Sequence, residues 1–495
     1  MTSVILGLKN EWKAHPLLTI KDFSLSFRTF GKGLRLNVSP LIQHLNLHIY
    51  SGEVVAIVGA SGTGKSLLAN AIVGLTPKNA MVEGELLFKG NILTAEKQKV
   101  LRGKEIFLIP QSVTALDPLM KVKNQIHSVH SFFTKDEKKE ILQKVGLSIS
   151  VGEKYPFELS GGMIRKVFAA ILLANATDLI IADEPTPGLD SASLQIFLTQ
   201  LKRLANEGKG VMFITHDIQT ALEIADRIVV MKDGRFIENA HVRAFSGKGE
   251  QLRHPFTKAL WNALPQNEFI QEFEKGKVEK KEDIQDENGT LKVSGISYWY
   301  KKENYIFKDL SLTIKPGEIV GISGYSGSGK TTMAKVIAGL LKPVSGEVKV
   351  GDNKPVKRGV HPVQMIWQHP EKAINPRWQM QRVLEESKIK NEALLDNLGI
   401  KKEWLTRRPG ELSGGELQRF CIARVLTEQT KYIIADEMTT MLDAIAQAEL
   451  WRVLIQYAKE RNIGVLAISH NRELLERISD RVIRFDEIRM GNLKE

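Results

Sequence analysis

Short apolar runs recur along this chain, separated by longer stretches in which apolar positions follow a helical period. VVAIV (54–58), FLIPQ (107–111), LIIAD (179–183) and VMFIT (211–215) occupy the first half, and EIVGIS (318–323), QMIWQ (364–368), YIIAD (432–436) and VLAIS (465–469) the second. Runs of four to six apolar residues with no polar alternation predict strands buried on both faces, and the intervening helical patterns make them parallel. The fold class this predicts is α/β, with each sheet flanked by helices. RHPFTKALWNALP (253–265) predicts a small helix between the halves. Pro255 suits its first position. Phe256, Ala259, Leu260, Ala263 and Leu264 form its buried face, and Pro265 stops it. The charged stretch that follows reads as a solvated connector.

The halves repeat each other. LNLHIYSGEVVAIVGASGTGKSLLANAIVGL is paralleled by LSLTIKPGEIVGISGYSGSGKTTMAKVIAGL, with Lys65 and Lys330 at matching places. ELSGGM (158–163) matches ELSGGE (411–416), and the step from Ser160 to Asp183 equals that from Ser413 to Asp436, 23 positions. Such register predicts two copies of one domain, at 1–245 and 289–495, with the helix and connector at 246–288. The length of 495 residues fits two domains. A single cysteine, Cys421, excludes an intramolecular disulfide. The net charge of +12 favours an acidic partner: nucleic acid, an anionic membrane face or phosphorylated ligands. No apolar run is long enough to span a bilayer, and the N-terminus has no export signal pattern, so the chain is expected to remain unexported.

Two stretches match the phosphate-loop pattern G-x-x-x-x-G-K-[ST], each after a strand-like run and before a helix. The first is GASGTGKS (59–66), with Gly59, Ser61, Gly62, Thr63, Gly64, Lys65 and Ser66. The second is GYSGSGKT (324–331), with Gly324, Ser326, Gly327, Ser328, Gly329, Lys330 and Thr331. Glycines let backbone N–H groups wrap phosphates, a helix N-terminus adds positive potential, the lysine neutralises phosphate oxygens and the hydroxyl reaches Mg²⁺. Asp183 and Asp436 end apolar strands, where a carboxylate can hold Mg²⁺, and Glu184 and Glu437 follow as groups able to orient water and accept its proton. Gln111 and Gln368 end other runs, suited to touching Mg²⁺ or the water. His216 and His470 follow further strands as γ-phosphate sensors.

Phosphate loop, glutamine, LSGG, Asp-Glu pair, a following aspartate (Asp190, Asp443) and histidine occur in that order twice. This conjunction resembles the ATP-binding-cassette (ABC) ATPases. The resemblance implies an antiparallel β subdomain and a helical subdomain in each copy. It implies ATP and Mg²⁺ held head to tail, each Walker loop facing the other copy's signature: Ser413, Gly414 and Gly415 for the first site, Ser160, Gly161 and Gly162 for the second. By position, Phe27 and Tyr300 would stack on adenine. Lys166, Pro187, Gly188 and Met438 depart from the family pattern without removing a catalytic group. The segments after Gln111 and Gln368, with Asp117-Pro118 and Asn375-Pro376, and the RHPFTKALWNALP element resemble peptide and nickel importer ATPases. In that subfamily the post-glutamine segment lies near the groove that receives a permease helix. The implied partners are two permease subunits and, through them, an extracytoplasmic binding protein, with the chain peripheral at the cytoplasmic membrane face and no nucleic acid bound. The alternative is a soluble twin-cassette ATPase acting on ribosomes or nucleic acid.

Overall fold

The computed structural model describes residues 15–30, 36–112, 115–129, 135–174, 177–187, 189, 191–269, 289–325, 327–351, 360–388, 392–440 and 442–491. The chain divides into two compact units, residues 1–258 and 259–495. In the first unit the strands are β1 (Leu18–Phe30), β2 (Leu36–Ile49), β3 (Val54–Val58), β4 (Ala80–Phe88), β5 (Asn91–Ile92), β6 (Ile106–Ile109), β7 (Leu179–Asp183), β8 (Gly210–Thr215), β9 (Arg227–Lys232) and β10 (Arg235–His241). They form a four-stranded sheet in the order β2-β1-β4-β5 and a six-stranded one in the order β10-β9-β3-β8-β7-β6. The first is antiparallel. The second is parallel from β9 through β6, with β10 added antiparallel at its edge.

The apolar runs explain this arrangement. Every residue of β3, β7 and β8 is buried, as strands covered on both faces require. One hydrophobic cluster joins the two sheets through Leu18, Ile20 and Phe23 of β1, Val55 and Ile57 of β3, and Leu68 and Ile72 of the helix Lys65–Ile72. Helices Val122–Val129, Lys135–Lys144 and Gly161–Leu173 form the helical part of the unit.

The second unit repeats the plan with β11 (Leu291–Lys301), β12 (Asn304–Ile314), β13 (Ile319–Ser323), β14 (Ser345–Val350), β15 (Val363–Ile366), β16 (Tyr432–Asp436), β17 (Gly464–Ser469) and β18 (Arg481–Arg484). The antiparallel sheet runs β12-β11-β14 and the parallel one β15-β16-β17-β13-β18. Tyr432 ties the two together. Its buried hydroxyl accepts from Leu291 N at 3.0 Å and donates to Gly289 O at 2.8 Å. Burial pushes this phenol up to about 12, so it stays a neutral donor.

RHPFTKALWNALP differs in detail from the helix its spacing predicts. The helix spans Pro255–Asn262, ending before Pro265. Its buried face is Thr257, Leu260, Trp261 and Leu264, whereas Ala259 is exposed and Phe256 half-buried. The bulky indole takes the core, and the Phe256 ring lies under the Lys232 ammonium, 4.5 Å from its centroid. The Glu238 carboxylate of β10 fixes the helix start by accepting from Arg253 N and His254 N at 2.7 and 3.1 Å. The division between the two units falls within this helix. Further on, inside the second unit, Arg477 donates to Pro265 O and Asn267 O, and Phe269 joins the hydrophobic core. Residues 270–288 of the expected connector lie outside the described residues.

Replacing Tyr432 by Phe leaves Leu291 N buried without its acceptor. We expect Tyr432→Phe to destabilise the second unit by about 1–3 kcal/mol, read from denaturant unfolding.

Candidate active sites at the ends of the parallel strands

In each parallel sheet the strand that leads into the phosphate loop lies between strands that come later in the chain: β3 between β9 and β8, β13 between β18 and β17. Helices that leave toward opposite faces open a crevice at the carboxyl ends of such strands. The loops Gly59–Gly64 and Gly324–Gly329 lie there, followed by helices Lys65–Ile72 and Lys330–Ile337. The last glycine of each loop, Gly64 or Gly329, caps the helix with φ of 101° or 112°, a conformation L side chains rarely adopt, and a Cβ there would run into Ile42 or Ile306. Lys65 and Lys330 are nearly buried. Lys65 Nζ donates to Gly59 O and Ala60 O at 2.7 Å, and Lys330 Nζ to Gly324 O and Tyr325 O at 2.7 Å. Thr63 and Ser328 donate their hydroxyls to Ala60 O and Tyr325 O, tightening both loops alike. Ser61, Gly62 and Gly327 lie on the loops with them, and Ser326 lies outside the described residues.

Asp183 and Asp436 end β7 and β16 and are 4% and 2% exposed. The Ser66 hydroxyl donates to Asp183 Oδ1 at 3.1 Å, and Thr331 bonds Asp436. Burial, with the neighbouring glutamate charge, pushes both aspartates up to about 6, although hydroxyl and lysine pull the other way. A buried carboxylate short of positive charge beside a hydroxyl is a hard-oxygen donor set that fits Mg²⁺ held jointly with phosphates. Among the described residues no cluster of three or more His, Cys, Asp or Glu offers an all-protein metal site.

Glu184 and Glu437 have φ of 44° and 46°, in the left-handed region. Glu184 N donates to Ile214 O and Glu437 N to Ile468 O, which hold the twist in place. This turn brings each glutamate round to the crevice side beside its aspartate. In the first unit, His216 Nδ1 lies 3.1 Å from Glu184 Oε2 and Gln111 Nε2 is 3.5 Å from the same oxygen. In the second, Gln368 Nε2 donates to Glu437 Oε2 at 2.9 Å, while His470 Nδ1 is 3.6 Å from Oε1. Burial pushes both glutamates up, but the hydrogen bond from His216 or His470 and the nearby charge of Lys65 and Arg165, or of Lys330, outweigh it and hold both below the usual range.

Ser160 and Ser413 cap helices Gly161–Leu173 and Gly414–Val425, accepting from Met163 N and Glu416 N. In the second unit Glu416 reaches back to Ser413 N at 2.8 Å, a reciprocal cap that Met163 cannot make. Gly161, Gly162, Gly414 and Gly415 form the first turns. No hydrogen bond joins these residues to the phosphate loop of their own unit among the described residues. Asp443 caps helix Ala444–Glu460, and Asp190 and Gly188 lie outside the described residues. Phe27 is half-buried against the core, whereas Tyr300 is exposed with its hydroxyl 3.3 Å from Thr332 Oγ1 on the phosphate-loop helix. Sequence reasoning missed Arg165 and Gln418, one turn into the signature helices. Their unlike side chains at equal distances from Ser160 and Ser413 were the available signal.

The ABC transporter family model matches residues 42–187 and 307–440, together more than half of the chain. The chain belongs to the ABC transporter family. Its two units are ATP-binding ATPase cassettes. It is 29% identical to the uncharacterized ABC transporter ATP-binding protein YejF of Escherichia coli (strain K12), over 94% of this chain and 93% of that protein. It is 29% identical to the peptidoglycan transport ATP-binding protein YejF of Agrobacterium fabrum (96% and 91% covered). It is 30% identical to the glutathione import ATP-binding protein GsiA of Salmonella typhimurium (96% and 85% covered). Among solved structures, an RNase-L Inhibitor matches with a TM-score of 0.62 at 23% identity, over 93% of this chain and 87% of that one, a likeness of fold.

The buried aspartates have a measurable consequence. Their folded pKa lies above the ordinary 3.8, so the stability they contribute is present at low pH and is lost as pH rises through about 6. Without nucleotide and Mg²⁺, Asp183→Asn with Asp436→Asn should raise the unfolding temperature at pH 7.5 and leave it nearly unchanged at pH 4, read by calorimetry at both pH values.

Proposed function

We propose that this chain is the ATP-hydrolysing motor subunit of an importer, and that its cargo is of the peptide class rather than nickel or a metal chelate. The observation that carries the importer reading is similarity over nearly the whole chain, both cassettes and the intervening helix included, to proteins named for glutathione import and peptidoglycan transport. Glutathione and peptidoglycan both contain peptide, which favours that branch. No helix among the described residues is long and apolar enough to cross a membrane, so transport requires membrane-spanning partners. The partners are two permease subunits and, through them, a substrate-binding protein, with this chain peripheral at the cytoplasmic membrane face.

In this reading Lys65 and Lys330 neutralise the β- and γ-phosphates, and the remaining loop residues present backbone N–H groups to them. Ser66, Asp183 and Gln111 would hold Mg²⁺ in the first cassette, and Thr331, Asp436 and Gln368 in the second, where it neutralises charge on the transferring phosphoryl group. Glu184 and Glu437 orient the attacking water and take its proton, and His216 and His470 contact the γ-phosphate. The LSGG residues of each cassette close on the nucleotide of the other. Their position at helix N-termini, rich in backbone donors, suits that role. Tyr300 stacks on adenine, with Phe27 as its less exposed counterpart. Nucleotide-driven closure pulls on the attached permeases.

The docking surfaces follow from the segment after each glutamine. In the first cassette Leu119 and Phe157 are 86% and 73% exposed, and Tyr155 stacks on Phe157. Val122 N donates to Lys154 O there, and Met380 N to Arg407 O in the second cassette, which sets the two segments in register. In that register Leu119, Tyr155 and Phe157 correspond to Arg377, Arg408 and Gly410. An apolar surface and a basic one select different permease helices.

Glu184→Gln with Glu437→Gln should retain ATP and lower turnover about 10²–10⁴-fold; undiminished hydrolysis removes these glutamates from the chemistry. A tagged chain should bring down two hydrophobic permeases from detergent-solubilised membranes, and co-sedimentation with ribosomes instead would favour the soluble twin-cassette reading. Leu119→Asp with Phe157→Asp, and separately Arg377→Glu with Arg408→Glu, should each reduce the permease recovered. Unchanged recovery with both pairs excludes these surfaces from docking.

A further inference from the structure

The position one turn into each signature helix differs between the cassettes, and the difference reaches the hydrolytic glutamates. In the second cassette it is Gln418, only 2% exposed, whose amide donates to Trp367 O at 3.3 Å. Trp367 immediately precedes Gln368, so this bond braces the base of the glutamine loop. Gln368 in turn donates to Glu437 at 2.9 Å. The His470 ring is 57% exposed and 3.6 Å from the carboxylate.

In the first cassette the same step from the signature serine arrives at Arg165. Its side chain makes no hydrogen bond to a described residue, and among the described residues nothing braces the strand end before Gln111. The contact of Gln111 to Glu184 is correspondingly long, 3.5 Å. Glu184 is engaged instead by His216 at 3.1 Å, with both side chains 12% exposed. The half-buried Arg165 guanidinium adds to the charge of Lys65 near Glu184.

We propose that Arg165 and Gln418 are positioning residues that make the cassettes unequal, with turnover carried mainly by the Walker residues of the second. Gln418 keeps the glutamine loop on Glu437, and His470, more exposed and farther from its glutamate than His216, is the less tightly held of the two histidines. Arg165 leaves the first glutamine loop unbraced. Glu184 then lies closer to His216 than to Gln111, and the imidazole is occupied. The inference rests on the reading of Glu184 and Glu437 as the hydrolytic groups.

The test uses the full chain and compares kcat and KM for Mg-ATP. Glu437→Gln should leave less residual turnover than Glu184→Gln, by about fivefold or more, and equal residual turnover, including equal complete loss, overturns the inequality. In the otherwise native chain Arg165→Gln should raise kcat a few-fold and Gln418→Arg lower it a few-fold, both with little change in KM. Arg165→Lys, which keeps the charge, should behave as the native chain. Should Gln418→Arg fail to fold, Gln418→Met removes the brace without burying a charge, with binding of a fluorescent ATP analogue as the check on folding, and should lower kcat likewise. Exchanges that leave kcat unmoved overturn the proposal. Full turnover in the double Glu→Gln chain is a separate result, which overturns the underlying reading of the glutamates.

Discussion

Each cassette must turn two consecutive carboxylates toward one crevice, although neighbouring residues of an extended strand face opposite ways. Both copies solve this identically: β7 and β16 end on a buried aspartate, and the next residue enters the left-handed region at φ of 44° or 46°. A non-glycine residue there costs roughly 1–3 kcal/mol, which the surrounding structure must over-determine. It does so with a backbone bond to the neighbouring strand and with the ions around each glutamate. The fully buried parallel strands and the phosphate-loop helices are the rigid frame that holds this conformation.

Function follows from the same frame. The aspartate is stripped of water at a strand end beside a hydroxyl, and that burial, with the neighbouring glutamate charge, raises its pKa. The glutamate one residue on is surrounded by cations and stays ionised. Two adjacent carboxylates thus acquire opposite electrostatic settings from burial and neighbours alone, a separation that suits one to a metal and the other to a water molecule.

The repeat is less symmetric than its motifs. Ser160 and Ser413 cap their helices alike, yet only the second cassette closes a reciprocal cap with Glu416. At matched positions after the glutamine the first copy carries Leu119, Tyr155 and Phe157 and the second Arg377, Arg408 and Gly410. A duplicated cassette retained in one chain can diverge at such positions while the phosphate loops remain near-identical, because phosphate geometry tolerates little variation and a docking surface or a loop brace tolerates more.

The sequence by itself determined the fold class, the duplication and the order of the site groups. Those depend on local pattern: buried strands need unbroken apolar runs, and phosphate loops need glycine at fixed spacing. LIIAD and YIIAD ended at the aspartates, as their pattern required. Tertiary structure alone decided the backbone twist at Glu184 and Glu437, the rotated face of the helix Pro255–Asn262, where Trp261 is buried and Phe256 only half-buried, and the unequal surroundings set by Arg165 and Gln418. Each of these depends on contacts between residues far apart in the chain, Glu184 with Ile214, Phe256 with Lys232 and Gln418 with Trp367, and periodicity within one segment carries no record of such contacts.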